Sequence, residues 1–382
     1  MDTNQQEFNR YVFLSTFARN LIEVFIPIIL FNFGYSLKEV ILYFLLVNAF
    51  SLLISYPCVV FSKRYDNRLL SFVGILSFMA VQLLLNKICY SYIYIIILAF
   101  LYALYRKGYW IARRYYNLKI MSKENISKTY SIISILNQVG VLLSSYVGSL
   151  LLDFVSVKAL TLISVSLFII SLFCLYKLKF DHEKNDIKIN PFELFKKIPK
   201  KNMYLFASYE LLNIAKFLFS LYLFIYVKNN YQTIGIFNLI TNLATIIFVY
   251  TYGKSINKDK NYLKLSILLT VIVFILKANV TSILLVLITF LEGIFTKMYE
   301  LSINKEFYVL SKKYEYYNYN LVYEMSLNFL RTFVLLIIYL FVSDLKVMIY
   351  IVLIFFTLGL FINFEKSDLR DFKIGGVNGA KR

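Results

Sequence analysis

The residues of this chain with the greatest chemical reach are charged side chains set inside long apolar stretches. Arg19 and Glu23 stand four apart, close enough to pair on one helical face. Glu210 and Asn213 are three apart, as are Asn213 and Lys216, and Glu292 precedes Lys297 and Glu300. Glu324 and Arg331 are seven apart and therefore co-facial, and the same spacing relates Arg106 to Arg113. A charge at the centre of a bilayer costs roughly 3 kcal/mol even on lenient scales, so such a side chain faces a partner or a water-filled cavity. A carboxyl there can exchange a proton, because low dielectric holds the proton on and a nearby cation drives it off. Arg19, Arg106 and Lys216 stand against Glu23, Glu210 and Glu292. This balanced, dense set suits a polar, anionic or zwitterionic substrate.

Several of these groups have a second reading. Arg19 and Glu23 also fit a neutralised pair that only fixes helix packing. Glu324 and Arg331 read as structural, whereas Glu210 and Glu292 read as functional acids. Arg106 and Lys107 follow an uncharged run that ends at Tyr105, so Arg106 fits either a cavity or the membrane interface.

The elements that must position these side chains follow from composition. Of 382 residues, 59% are hydrophobic, and mean hydropathy is +0.66. Only 16% are charged, against roughly 25% in a soluble domain. Uncharged apolar stretches recur at intervals of about thirty residues. These features exclude a soluble enzyme, a disordered chain and a secreted disulfide scaffold. The formal charge of +19 reflects Lys and Arg gathered in cytoplasmic loops rather than nucleic-acid binding. Cys58, Cys89 and Cys174 lie in or beside apolar runs, and the single histidine, His182, sits in a charged loop, so no disulfide or metal spacing is present. No glycine-rich run ends in Lys-Ser/Thr, so ATP is not the expected energy source. No catalytic constellation and no cofactor are expected.

A helix needs about twenty apolar residues to cross the hydrocarbon. Twelve spans meet this measure: Tyr11–Phe33, Val40–Phe61, Leu69–Asn86, Ile88–Asn117, Tyr130–Leu152, Ala159–Tyr176, Met203–Val227, Tyr231–Gly253, Leu263–Lys277, Ala278–Ser302, Leu321–Val342 and Val347–Phe364. With both termini cytoplasmic, inner loops and ends hold 32 of the 41 basic residues and outer loops hold six, one of them Lys277. Arg19, Lys216 and Arg331 are the remaining three, within spans. This asymmetry sets the orientation. No cleavage site follows the first run, which is expected to be a permanent span. A charged segment with Pro191 and Pro199 divides the spans six and six. The expected organisation is a six-helix bundle over 1–178, a cytoplasmic central loop over 179–202, a second bundle over 203–364 and a cytoplasmic tail over 365–382.

Two local patterns add detail. Between spans two and three stands Val59-Val60-Phe61-Ser62-Lys63-Arg64-Tyr65-Asp66-Asn67-Arg68, echoed after span eight by Gly253-Lys254-Ser255-Ile256-Asn257-Lys258. Span five carries small residues at Gly140, Ser144 and Gly148, a spacing that lets helices approach closely. With these patterns, twelve spans and a six-plus-six division, the chain resembles the major facilitator superfamily along essentially its whole length. Ser62, Arg64, Asn67 and Arg68 fit the family's gating-loop pattern, with Lys63 where the family has Asp and Asp66 where it has Gly. Gly253 and Lys258 fit the second copy. The Gly140-to-Gly148 run is similar to the motif of the family's exporters, without its proline. The resemblance implies an all-α polytopic membrane protein with twelve transmembrane helices in two pseudo-symmetric six-helix bundles. It also implies that helices one, four, seven and ten line a central cavity.

The expected function is that of a secondary active transporter working by alternating access. It would be a proton-coupled exporter of a polar, anionic or zwitterionic toxic small molecule or peptide antibiotic. An uptake permease and a lipid-linked saccharide flippase are the alternatives. A membrane transferase is disfavoured because the outer loops are only a few residues long. The expected pathway comprises Arg19, Glu23, Arg106, Glu210, Asn213, Lys216 and Glu292. Expected partners are the substrate, protons and membrane lipid, without nucleic acid, for a monomer in a bacterial plasma membrane. The bacterial setting rests on a composition rich in Ile, Lys, Asn, Tyr and Phe.

Overall fold

The computed structural model describes residues 3–120, 126–179, 193, 195, 196, 200–227, 230–252, 261–280 and 283–362. Every regular element among them is helical. The elements are α1 (Thr3–Asn20), α2 (Ile26–Asn32), α3 (Leu37–Arg64), α4 (Asn67–Leu85), α5 (Tyr92–Ile120), α6 (Ile126–Phe154) and α7 (Val157–Tyr176). There follow α8 (Lys200–Tyr222), α9 (Tyr231–Tyr252), α10 (Asn261–Asn279), α11 (Leu284–Lys313), α12 (Tyr316–Phe341) and α13 (Leu345–Thr357). Among the described residues, ten helical stretches are long and apolar enough to cross a membrane. Leu345–Phe361 is a shorter apolar stretch, and Glu292, Lys297 and Glu300 interrupt the apolar run of the 30-residue α11. The central loop is described only in part and the tail not at all. Gly253 and Lys258 also lie outside the described residues.

Two spans differ from the sequence reading. The first is broken: α1 ends at Asn20, a 3-10 turn covers Glu23–Phe25, and α2 begins at Ile26. Pro27 explains the break. It has no N–H to bond the carbonyl of Glu23, and its ring clashes there. Ile26 N–H takes that carbonyl instead. The tenth span starts at Leu284 rather than Ala278 and continues to Lys313, because α10 keeps Lys277 within its last turn.

Chain ends and turns are set by local chemistry. Ser36 and Glu39 form a reciprocal capping box at the start of α3. Asp66 caps α4 through the N–H of Arg68 at 2.8 Å, which gives the acid in the Ser62–Arg68 segment a structural reason. In the same segment Ser62 donates to Asn67, Arg68 pairs with Asp66, and Arg64 is exposed.

Helices α1, α6 and α7 pack together, as do α3, α4 and α5; α8 packs against α12 and α13, and α10 against α11 and α13. Two seams cross between the expected bundles, α6 along α9 and α3 along α12. The α1–α6 seam uses the small residues of span five. A Cβ on Gly148 would lie 2.3 Å from the carbonyl oxygen of Leu21, whereas one on Gly140 would lie 3.3 Å from Thr16 Cγ2. Ser144 is fully buried and bonds the Val141 carbonyl of its own helix at 3.2 Å. Overpacking typically costs about 1–3 kcal/mol. Gly148→Val is therefore expected to lower stability by at least about 3 kcal/mol and Gly140→Ala by under about 1 kcal/mol. Thermal unfolding of both variants in detergent checks the contrast.

Candidate functional site

A cavity of about 520 Å³ lies at the centre of the helices. Arg19, Glu23, Arg106, Glu210, Asn213, Lys216 and Glu292 all line it. Because α5 runs unbroken through Tyr105, Arg106 lies mid-helix and faces this cavity. Lys107, Arg113, Arg114, Lys277, Glu300, Glu324 and Arg331 line it as well.

The carboxylates are tied down. Glu23 forms an ion pair with Arg19, with Nε 2.9 Å away across the break in the first span, and accepts from Tyr102 OH at 2.5 Å. Glu210, on α8, accepts from Asn213 at 2.6 Å and pairs with Arg331 of α12. Glu292 pairs with Lys277. This corrects the placement of Lys277 in an outer loop: its side chain is only 4% exposed, and its Nζ lies 3.8 Å from the centre of the Phe219 ring. Glu300 accepts from Lys297 at 2.6 Å and from Tyr209 at 2.8 Å. Glu324, 2% exposed, holds both Lys107 and Arg114 of α5.

Several cations are held differently. Arg113 donates to Tyr109 OH at 2.8 Å, to Asn137 Oδ1 at 2.9 Å and to Thr16 Oγ1 at 3.3 Å. Its guanidinium also lies 5.0 Å from the centre of the Trp110 ring, and that of Arg19 lies 5.1 Å from the same ring. Arg106 donates to Asn48 Oδ1 at 3.1 Å. Lys216 makes no side-chain hydrogen bond or ion pair with any described residue. Among the described residues, Arg106, Arg113 and Lys216 thus form no ion pair with a carboxylate, although the charge of Lys216 acts on Glu300 at longer range. Neutral acceptors and aromatic faces stabilise a buried cation without cancelling its charge. Among the described residues, eight cationic and five acidic side chains line the cavity, a formal excess of three positive charges. In a low-dielectric site that excess attracts anions and repels cations.

The cavity is crossed at both ends by contacts between the two sets of helices. Between mid-helix and the end that carries the basic loops, Arg114 and Lys107 bind Glu324 and Tyr316 OH donates to the Ile111 carbonyl at 2.7 Å, while nearer that end Asn117 donates to Tyr308 OH at 2.8 Å. At the opposite end Asp153 accepts from the N–H of Tyr231 at 3.1 Å and of Gln232 at 2.7 Å, while Asn32 donates to Tyr231 OH at 2.8 Å. Deeper in, Phe44 stacks on Phe217 at 4.1 Å.

Sequence reasoning set Glu324 and Arg331 aside as structural, yet both line the cavity. Their seven-residue spacing was the available signal, since it puts both on one face. Among the described residues, no group of three or more His, Cys, Asp or Glu side chains could hold a metal ion.

The sequence profile of the Major Facilitator Superfamily matches residues 11–299. A comparison with curated proteins gives no match. Among solved structures, a bacterial homologue of the iron transporter ferroportin, in its outward-facing state, superposes with a TM-score of 0.70 at 12% identity, covering 95% of this chain and 98% of its own. The human organic anion transporter MFSD10 gives 0.67 at 12% identity, with 95% and 99% covered. The nucleoside transporter NupG gives 0.70 at 13% identity, with 94% and 98% covered. These likenesses establish the fold.

Proposed function

The chain belongs to the major facilitator superfamily of alternating-access secondary transporters, and on that premise we propose that it exports an anionic or zwitterionic small organic molecule or peptide in exchange for protons. The observation that carries this reading is the positive excess of the cavity among the described residues, with Arg106, Arg113 and Lys216 in no ion pair with a carboxylate. A cavity of about 520 Å³ suits a small molecule or a short peptide. The same excess disfavours a metal cation, the cargo named for the relatives of the ferroportin homologue, and agrees with the organic anion named for the human one.

For an anionic substrate, electrostatics supports export. A membrane potential of 100 mV, negative inside, is worth about 2.3 kcal/mol per charge. It drives an anion outward and a proton inward, so the two movements reinforce one another. The basic end of the bundle faces the cytoplasm in this reading. Substrate acids bind Arg106, Arg113 and Lys216, and protons travel by way of Glu23, Glu210 and Glu292. Glu210 suits that role because it shares a surface with the cavity and has both Arg331 and Asn213 as partners. Releasing Arg331 on protonation would change the charge that the substrate meets.

Inside-out vesicles that hold a respiration-driven, acid-inside gradient provide the test. A panel of antibiotics, peptides and organic anions is added while a pH-sensitive dye reports the lumen. An anionic member is expected to collapse the gradient, and Glu210→Gln or Glu23→Gln to abolish the response. Collapse by cationic members alone would overturn the anion reading. Collapse that survives both glutamine variants would remove these two acids from the proton path.

A further inference from the structure

Away from the cavity, a concavity of about 730 Å³ opens on the flank of the protein between the start of α4 and the end of α7. The two helices touch in mid-span, where Phe78 meets Phe168 edge-on at 5.8 Å and Gln82 donates to Ser164 at 2.8 Å. At the basic end Arg68 bridges them by donating to the Leu178 carbonyl at 3.0 Å. The groove is lined on one side by Leu69 and Phe72 and on the other by Leu172 and Leu175. Leu69 and Phe72 are 46% and 41% exposed on a membrane-spanning helix, so this wall meets hydrocarbon.

Charge is ordered along the groove. The apolar walls end at Arg68, Lys177 and Lys179, with Asp66 the single acid among the lining residues. Asp66 is already engaged: it caps α4, and it accepts from Arg68 Nε at 2.5 Å. The ammonium groups of Lys177 and Lys179 have no partner among the described residues. Lys179 nevertheless sits on fixed backbone, because Asn4 donates to its carbonyl at 2.9 Å and accepts from its N–H at 3.0 Å. The chain therefore presents two cations at the mouth of an apolar slot that opens toward the bilayer.

We propose that this groove binds one anionic glycerophospholipid, with its phosphate between Lys177 and Lys179 and one acyl chain along Leu69, Phe72, Leu172 and Leu175. Water in an apolar slot beside hydrocarbon is unfavourable, so a chain from the bilayer fills it. A basic pocket between transmembrane helices selects an anionic headgroup. A free phosphate would use only the cations, and a neutral lipid only the walls. The anionic lipid alone uses both, in the order in which the groove presents them.

The full-length protein, purified in detergent, is incubated with phosphatidylglycerol or phosphatidylcholine and examined by native mass spectrometry. Phosphatidylglycerol is expected to remain bound in preference to phosphatidylcholine. The double variant Lys177→Gln, Lys179→Gln is expected to weaken its retention roughly tenfold. Leu69→Trp, which fills the slot and leaves every charge in place, is expected to weaken it as well. Equal retention by the double variant, equal retention of phosphatidylcholine, undiminished binding to Leu69→Trp, or displacement by glycerol 3-phosphate at matched concentration would each overturn the proposal. All three substitutions lie outside the cavity, so vesicle transport in these variants is expected to stay at the wild-type level.

Discussion

Glu324→Gln is expected to destabilise the folded protein by about 3–5 kcal/mol, because removing one partner of a buried ion pair leaves uncompensated charge behind. Here it leaves two such charges, Lys107 and Arg114, which are 4% and 15% exposed. Both join a cavity that already carries an excess of cations. The substitution also removes a bond between α5 and α12 on the basic side of the cavity. That side should open more often, although Tyr316 and Asn117 still cross it. Two consequences separate this role from a purely structural staple. With the competing carboxylate gone, an anionic substrate should bind roughly tenfold more tightly, the effect of gaining about one charge-assisted contact. Cross-linking between Tyr115→Cys and Tyr317→Cys, whose rings stack at 6.0 Å in the native protein, should fall. Glu324→Asp keeps the charge and should recover most of the stability. Thermal unfolding, anion titration and cross-linking yield measure the three effects. Lower stability with unchanged anion affinity would make Glu324 a packing residue.

The pairing of Glu324 also marks the limit of what the sequence makes legible. The spans can be read because hydrocarbon demands about twenty apolar residues from each helix. The pair Arg19–Glu23 can be read because its partner is local, four residues along one chain. Glu324 and Arg331 invite the same reading at seven residues, and there it misleads. Each pairs on another helix, Glu324 with α5 and Arg331 with Glu210 of α8. Spacing within a helix tells which side chains share a face. It does not tell which helix that face meets. Lys277 shows the same limit from another side. Only twelve residues separate it from Lys264, which makes it look like the end of a short span. The carboxylate that allows it to be buried, Glu292, lies on the next helix. The break in the first span was legible in principle, through Pro27, but an apolar count passes over it.

Arg106→Gln should be the cleanest loss of substrate binding. Arg106 donates to the single neutral acceptor Asn48 and has no carboxylate partner among the described residues. Its removal therefore strands no buried acid, and its cost in stability should stay below about 1 kcal/mol, the worth of one ordinary hydrogen bond. Its value to an anion is larger. A charge-assisted hydrogen bond contributes about 1.5–3 kcal/mol, so anion affinity should fall roughly tenfold to a hundredfold. Lys216→Gln should show a loss in the same range, for the same reason. Arg113→Gln should not separate the two effects. Its guanidinium ties Tyr109, Thr16 and Asn137 together across α5, α1 and α6, so binding and stability should fall together. Arg106→Lys retains the charge and should restore part of the affinity, without the planar fork that grips a carboxylate in two places. Calorimetric titration of each variant with the anion found in the vesicle screen, paired with thermal unfolding, reads both quantities. If Arg106→Gln and Lys216→Gln both bind within threefold of the native protein, the unmatched cations do not select the substrate. The positive excess would then serve the protein's own carboxylates as it moves between states, and the anion reading of the cavity would fall.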